Sequence, residues 1–553
     1  MYQDQPSNPK KLSIWLPLLF ALILVMGMFI GMRIQSNAPA MVAEPENAVI
    51  HSIGQGKIEE ILRYIEAKYV DEVDREAMIQ EVINDMLAKL DPHSTYITAD
   101  QLREVNEQLE GNFDGIGVEF MILDDTIVVV APLAGGPSEA AGVQAGDKIV
   151  QIGDSTIAGV SMDTRDVINL LRGEKGTQVE IGVIRGKDSK VRRFTITRDK
   201  IPMHSVDVAY MLDNKTGYIK INRFSATTYE EFMKGMEQLI EKKGMKDLVI
   251  DLRHNPGGYL QQATNILSQL FSQKDELLVY TEGRAVSRSD YESTGRAFYN
   301  VDNIVVLIDE GSASASEILA GAIQDQDRGI IVGRRSFGKG LVQEQYKLRD
   351  GSALRLTVAR YYTPSGRSIQ KSYKNGIEEY EHEMYDRYES GELESKDQIA
   401  IADSTAYYTA GGRVVYGGGG IMPDIFVPLD SVLFNDEYLE LRQYIPQFVF
   451  RYMGQQGKTF QDYKLENFNR QFQVSDALYN EFLEYARSRG VKPGFQQPPT
   501  TRKELKRFIK ARIAKQLFED DGFYTVWNQE DPMIREALRA LQHSNPLQAI
   551  KSE

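Results

Sequence analysis

Three short segments carry residue types that can make and break acyl bonds. The first is Asp309-Glu310-Gly311-Ser312-Ala313-Ser314-Ala315-Ser316-Glu317-Ile318. It stands between an apolar run at 304–308 and a helical pattern through Leu319, Ala322 and Ile323. Small residues after a buried strand permit a sharp turn that holds a hydroxyl at a helix N-terminus, where unpaired backbone N–H groups favour negative charge. A serine is too basic to act as a nucleophile without a partner base. The plainer reading of these serines is that they cap the helix.

The second segment, Gly333-Arg-Arg-Ser-Phe-Gly338-Lys339-Gly340-Leu-Val-Gln343, follows the apolar run 329–332. Gly333 and Gly338-Lys339 match a phosphate-binding loop, but the next position should be a magnesium-binding Ser or Thr and is Gly340. Nothing else in the chain supports a nucleotide site. Lys339 can instead serve as a general base, because burial disfavours the ammonium and lowers its pKa. Gln343 lies four residues on, an even offset that in an extended segment keeps both side chains on one face and lets the amide orient the lysine or the serine. The plain alternative is a solvated lysine and a surface glutamine.

The third segment is Asp251-Leu-Arg-His-Asn-Pro-Gly257-Gly258. A strand ending in Pro-Gly-Gly offers backbone N–H groups in a tight turn, which with the Ala315 N–H can form an oxyanion hole; taken alone it is equally a plain turn. His254 invites a Ser/His/Asp triad, but nothing beside it completes the set.

The elements that must position these segments change character along the chain. Residues 12–32 form an uncharged run after Lys10 and Lys11 and before Arg33. As a helix it would be roughly 31 Å long, enough to cross a hydrocarbon core. We read 1–33 as a short tail and an uncleaved membrane anchor, with cleavage near Ala38-Pro39-Ala40 as the alternative, and 34–54 as a linker. Residues 55–110 have helical spacing and 111–200 form a β-rich module of short strands and glycine turns. Residues 201–430 alternate strands and helices, with a charged, tyrosine-rich excursion over 372–412. Residues 431–553 are helical and polar. The expected fold class is multidomain mixed α/β.

The 553 residues carry a formal net charge of −15, which disfavours nucleic acid as a partner. There is no cysteine, so disulfides, thiolate metal sites and cysteine nucleophiles are excluded. Six scattered histidines make no HExxH or short-spaced pair, and no cofactor is expected.

Taken together, the three segments resemble the carboxy-terminal processing (tail-specific) protease family. The matching stretches are Leu252-Arg253-x-Asn255-Pro-Gly-Gly258, Gly311-Ser-Ala-Ser-Ala-Ser-Glu-Ile318 and Phe337-Gly-Lys-Gly-x-Val-Gln343. Thr357-Val-Ala-Arg-Tyr-Tyr-Thr-Pro-Ser-Gly366, Gly420-Ile-x-Pro-Asp424 and Leu90-Asp-Pro-His-Ser94 extend the match, which covers roughly residues 55–430. The resemblance implies a serine endopeptidase that works through an acyl-enzyme. Its serine-to-lysine spacing of 25 selects Ser314 and Lys339, and its assisting glutamine falls on Gln343. Its oxyanion hole falls on Gly258 (or Gly257) with Ala315. The 111–200 module resembles the family's PDZ domain, with Gly115-Ile116-Gly117-Val118 as the loop that takes a substrate's terminal carboxylate. Arg172 matches an arginine that couples this module to the active site. The implied partners are exported proteins with accessible tails, and the implied place is a bacterial envelope, with the chain anchored in the inner membrane and its protease domain periplasmic. The helical ends allow a homo-oligomer. The runner-up function is a PDZ adaptor that binds tails without cutting. Relatives often pass quickly from Gly-Arg-Ser-Ile to Gly-x-Ile-x-Pro-Asp, whereas here a long charged insertion separates the two.

Overall fold

The structure is a computed structural model that describes residues 56–186, 188, 190–401, 403–430, 435–460, 462–492 and 498–552. The expected membrane anchor at 12–32 lies outside the described residues. Among the described residues no helix is long and apolar enough to cross a membrane.

Two compact units divide between Val82 and Ile83. The first contains the helix Lys57–Lys68 and the start of Arg75–Ala88, with Arg75 paired to Glu59 at 2.8 Å. The second contains everything that bears on chemistry.

Within the second unit, the helix Ala99–Glu110 starts at a capping box formed by Thr98 and Gln101 and stops at Gly111 in the left-handed conformation. The β-rich module follows. Its strands Val118–Leu123, Thr126–Pro132, Lys148–Ile152, Gln178–Ile184 and Arg192–Thr197 form one antiparallel sheet in that order. The helix Thr164–Leu171, capped by Asp163, buries Val167 and Leu171 against Val129, Ile149 and Ile181. A two-stranded ribbon, Asn112–Gly115 with Asp199–Pro202, ties the two ends of the module together.

The next region is built on a six-stranded sheet ordered Val206–Met211, Thr216–Ile221, Asp247–Asp251, Ile304–Ile308, Ile330–Gly333 and Ile425–Phe426. All pairs but the first are parallel. The central strand Ile304–Ile308 is an unbroken apolar run, as befits a strand with helices on both faces. Thr228–Glu237, Leu260–Leu270 and Ala315–Asp325 are the crossovers, and their apolar residues share a core with Ile219, Ile250 and Val306. The other face packs against Pro532–Ala540 through Met533, Ile534 and Ala537. The last described α-helix is therefore part of this layer, while Asp436–Arg442, Ile445–Gln456, Asp476–Ser488 and the kinked Pro499–Trp527 share an aromatic core of their own. A second, antiparallel sheet joins Leu341–Lys347, Ala353–Tyr362, Thr95–Ile97, Lys274–Glu282 and Ser289–Thr294.

Candidate active site

The three sequence segments leave the carboxyl ends of three adjacent parallel strands, Asp247–Asp251, Ile304–Ile308 and Ile330–Gly333. Loops at that edge of a parallel sheet meet over one crevice.

The middle loop separates its three serines by what they bond. Ser312 is buried and its hydroxyl donates to Leu252 O at 2.8 Å. Ser316 is buried and donates to Asn255 O at 3.0 Å. Ser314 is half-buried, with φ 56° and ψ −113°, a backbone conformation that a residue with a side chain adopts only under constraint. A serine held this way on a strand-to-helix turn presents its hydroxyl at the top of the sheet.

The first loop abuts it. Gly257 (φ 97°) lies so close that a Cβ there would stand 2.8 Å from Ser314 Cβ and 2.9 Å from Ala315 N. Its N–H is engaged, donating to Asn255 Oδ1 at 2.9 Å. Among the described residues the N–H groups of Gly258 and Ala315 have no hydrogen-bond acceptor. Of the two glycines left open by the sequence, Gly258 is thus the one with a donor to offer. Asn255, fully buried, fixes this turn: Nδ2 donates to Ile221 O at 2.9 Å, and its backbone O accepts from Ala313 N at 2.9 Å.

The lysine loop is tied to the serine loop by two buried groups that the sequence reading did not assign. Glu317 Oε2 accepts from Ser314 N at 2.8 Å and from Lys339 N at 2.9 Å. Its Oε1 accepts from Gly338 N at 2.7 Å and Ser336 Oγ at 2.5 Å. The Tyr361 hydroxyl donates to Ser314 O at 3.1 Å and also to Lys339 O. A signal for Glu317 was present, since Ser314-x-x-Glu317 is a capping-box pattern; Tyr361 had none. Burial pushes the Glu317 carboxyl up to about 7, against the pull of its four donors.

Lys339 is partly buried and its pKa is lowered, first by that burial and then by the Arg355 guanidinium; Glu317 and Asp91 oppose the shift. His93 is held down at about 4 by burial and by Lys339, so the imidazole stands neutral near the lysine. Among the described residues no hydrogen bond joins Ser314 Oγ to Lys339 Nζ. Gln343 does not bond Lys339 either. Its Nε2 donates to Thr357 Oγ1 at 3.3 Å, and that hydroxyl donates to Asp91 Oδ1 at 3.0 Å. Lys339 precedes the strand Leu341–Lys347, so strand alternation does not govern it, and the register also shifts between Val342 and Gln343. His254 pairs with Asp309 at 3.0 Å, which raises its pKa. With Asp309 it lines a cavity of about 430 Å3 shared with Arg334 and Trp527, and Ser314 is not part of that lining.

In the β-rich module, Ile116 O accepts from Ser138 N (3.0 Å) and Oγ (2.6 Å), and Gly117 O accepts from Leu133 N at 3.0 Å. Gly117 has φ 70°, which the peptide orientation of this loop requires. Gly115 pairs with Asp199 in the ribbon. Val118 begins an edge strand paired on one side only, and at its far end Gln447 Nε2 donates to Ile122 O at 3.4 Å. Arg172 pairs with Glu107 at 2.8 Å and lies over the Phe113 ring, joining the module to the helix Ala99–Glu110.

Comparison with known proteins follows the same division of the chain. Residues 215–379 match peptidase family S41, 128–185 match a PDZ domain, and 437–520 match a family of unknown function. Fold and match define the class, a serine-type peptidase with a PDZ domain. The carboxy-terminal processing protease CtpB of Bacillus subtilis (strain 168) is 35% identical over 385 residues, 68% of this chain and 78% of that protein. The carboxy-terminal-processing protease of Bartonella bacilliformis is 35% identical over 352 residues, 63% of this chain and 79% of that one. Among solved structures, the photosystem II D1 C-terminal processing protease is 33% identical, covering 56% of this chain and 83% of that chain with a TM-score of 0.34. The chain belongs to the carboxy-terminal processing protease family.

Proposed function

We propose that this peptidase cleaves through an acyl-enzyme on Ser314, with Lys339 as general base. Lys339 Nζ, its neutral form favoured by a depressed pKa, takes the Oγ proton as Oγ bonds to the scissile carbonyl carbon. The Gly258 and Ala315 N–H groups hold the oxyanion. The C–N bond then breaks and Lys339 returns the proton to the leaving amine. Water repeats the sequence to release the acyl group and restore Ser314. The observation that carries this reading is Glu317: one carboxylate holds the backbones of both residues, at hydrogen-bond distance from each. In the form described here the two side chains are not bonded, which fits a resting site that tightens on substrate. Gln343, linked through Thr357 to Asp91, steadies the wall beside the lysine.

Substrate tails enter the PDZ domain as an added strand along Val118–Leu123, with the terminal carboxylate on the N–H groups of Ile116, Gly117 and Val118. Arg172 carries that event to the helix Ala99–Glu110. The substrates are exported proteins, and residues 12–32 anchor the chain in the inner membrane with its protease domain periplasmic. Ser314→Ala and Lys339→Ala each abolish cleavage of a tail-exposed polypeptide, read by mass spectrometry, with the far-UV spectrum unchanged. Full proteolysis by the Lys339 variant would refute the dyad. Amidating the substrate's C-terminus lowers kcat/KM about tenfold, about 1.4 kcal/mol of lost carboxylate capture; equal rates would remove the tail from the reading.

A further inference from the structure

The insertion 372–412, expected as a solvated excursion, sends a charged cluster inward. Its helix Ile377–Glu389 carries Arg387, which is 3% exposed. Arg387 Nη2 donates to Arg335 O at 2.6 Å and Nη1 to Ser336 O at 3.1 Å. Its Nε bonds Glu392 Oε1 at 2.9 Å, and Glu392, also buried, grips the Arg335 side chain at 2.7 and 2.8 Å. Glu383 adds contacts to Arg335 and Lys371, each at 3.1 Å.

Buried charges of this kind are poor stabilisers, because desolvation offsets much of their attraction, and apolar residues of like volume would often do better. What a guanidinium aimed at two consecutive carbonyls does supply is register. The segment 334–340 between the strands Ile330–Gly333 and Leu341–Lys347 has no regular structure, so its backbone groups are satisfied from elsewhere: some by other backbone, as Ser336 N on Ile421 O at 3.1 Å and Phe337 N on Ser312 O at 3.0 Å, and the rest by side chains. Arg387 takes two of its carbonyls. Glu317 takes the Gly338 and Lys339 N–H groups and the Ser336 hydroxyl. The same insertion helix places Tyr380, whose hydroxyl bonds His93 Nε2 at 2.8 Å and whose ring lies 4.1 Å from the Lys371 ammonium.

We propose that Arg387 is a positioning residue for the reaction: through the Arg335 and Ser336 carbonyls it sets where Lys339 stands relative to Ser314. This rests on the reading of Lys339 as the base. The insertion is then a brace for the catalytic lysine.

The test uses the full chain with Arg387→Met and Arg387→Lys, beside Ser314→Ala and Lys339→Ala. For Arg387→Met we expect kcat to fall at least tenfold with KM within twofold, and the rising limb of the kcat–pH profile to move to higher pH as water reaches a loosened lysine. Arg387→Lys, which can reach the carbonyls but not fork between them and Glu392, falls between parent and Met variant on both measures. A folded Arg387→Met enzyme with parental kcat and pH profile, even with a lowered Tm, overturns the proposal. Should that variant not fold, Arg387→Lys decides alone, and parental kcat with an unmoved limb overturns it. If Ser314→Ala or Lys339→Ala cleaves at the parental rate, the dyad fails whatever Arg387 does; if both are inactive while Arg387→Met is parental, only the positioning role fails.

Discussion

Ser314 and Lys339, 25 positions apart in sequence, donate their backbone N–H groups to the same atom, Glu317 Oε2, at 2.8 and 2.9 Å. A shared acceptor at hydrogen-bond distance puts the two nitrogens within about 6 Å of each other. Tyr361 repeats the arrangement from the carbonyl side. The two residues are thus joined through their backbones.

Replacing Glu317 by Gln keeps the shape but turns one acceptor oxygen into a donor facing donors. We expect kcat to fall about 100-fold, the scale of a displacement near 1 Å at the reacting atoms, with KM little changed, as measured by steady-state kinetics. Because burial raises the folded-state pKa of Glu317 to about 7, above its unfolded value, its protonated form favours the fold. Its contribution is present at low pH and is lost as pH rises through about 7. Urea denaturation at pH 5 and pH 8 should show a smaller decline in stability for Glu317→Gln than for the parent.

The three serines should separate cleanly. Ser314→Ala is inactive, whereas Ser312→Ala and Ser316→Ala retain turnover; Ser312→Ala loses about 1–3 kcal/mol of stability because it orphans the buried Asp309 N–H, and Ser316→Ala only about 1 kcal/mol because Asn255 O keeps the Ala313 N–H. Ser314→Gly is inactive but more stable than Ser314→Ala by about 1 kcal/mol, since glycine adopts φ 56° without strain. Thermal melts of the four variants check both statements.

In the proposed reaction Lys339 must be neutral to take the proton, and its pKa is depressed. The profile of kcat/KM against pH should therefore rise through an apparent pKa below the ordinary lysine value of 10.5. Arg355 contributes to that depression, so Arg355→Met should move the limb to higher pH. An unmoved limb would remove Arg355 from the account.

Asn255→Ala takes away the acceptor of the Gly257 N–H and the donor to Ile221 O. Two orphaned backbone groups in a buried turn should cost about 2–4 kcal/mol. They should also lower kcat more than they raise KM, because the turn that carries Gly258 loses its support. Tm and single-turnover rates read the two effects separately.

Much of this was legible in the chain. The apolar runs at 248–250, 304–308 and 330–332 mark buried parallel strands, and the small-residue turns after them mark the edge where loops converge. What stayed hidden depends on contacts between distant residues. No local pattern shows that Gly257 is bonded to Asn255 while Gly258 is free, or that Tyr361 reaches two carbonyls. The charged stretch 372–412 looked solvated because opposite charges that pair in the interior have the same composition as a surface. Gln343 was read by strand alternation, which does not extend back to Lys339, before the first residue of that strand.

The site draws on residues far apart in the chain: Asp91 bonds Thr357 across 266 positions, and the sheet that aligns the three loops is completed by Ile425–Phe426 and covered by Met533 and Ile534. Pairings of such long range form slowly, after their loop-closure entropy has been overcome. A chain still emerging from synthesis holds its serine and lysine without the layers that align them. Proteolytic competence is therefore a late event in the life of the molecule, and an unfinished copy has no ready means of digesting itself or its neighbours.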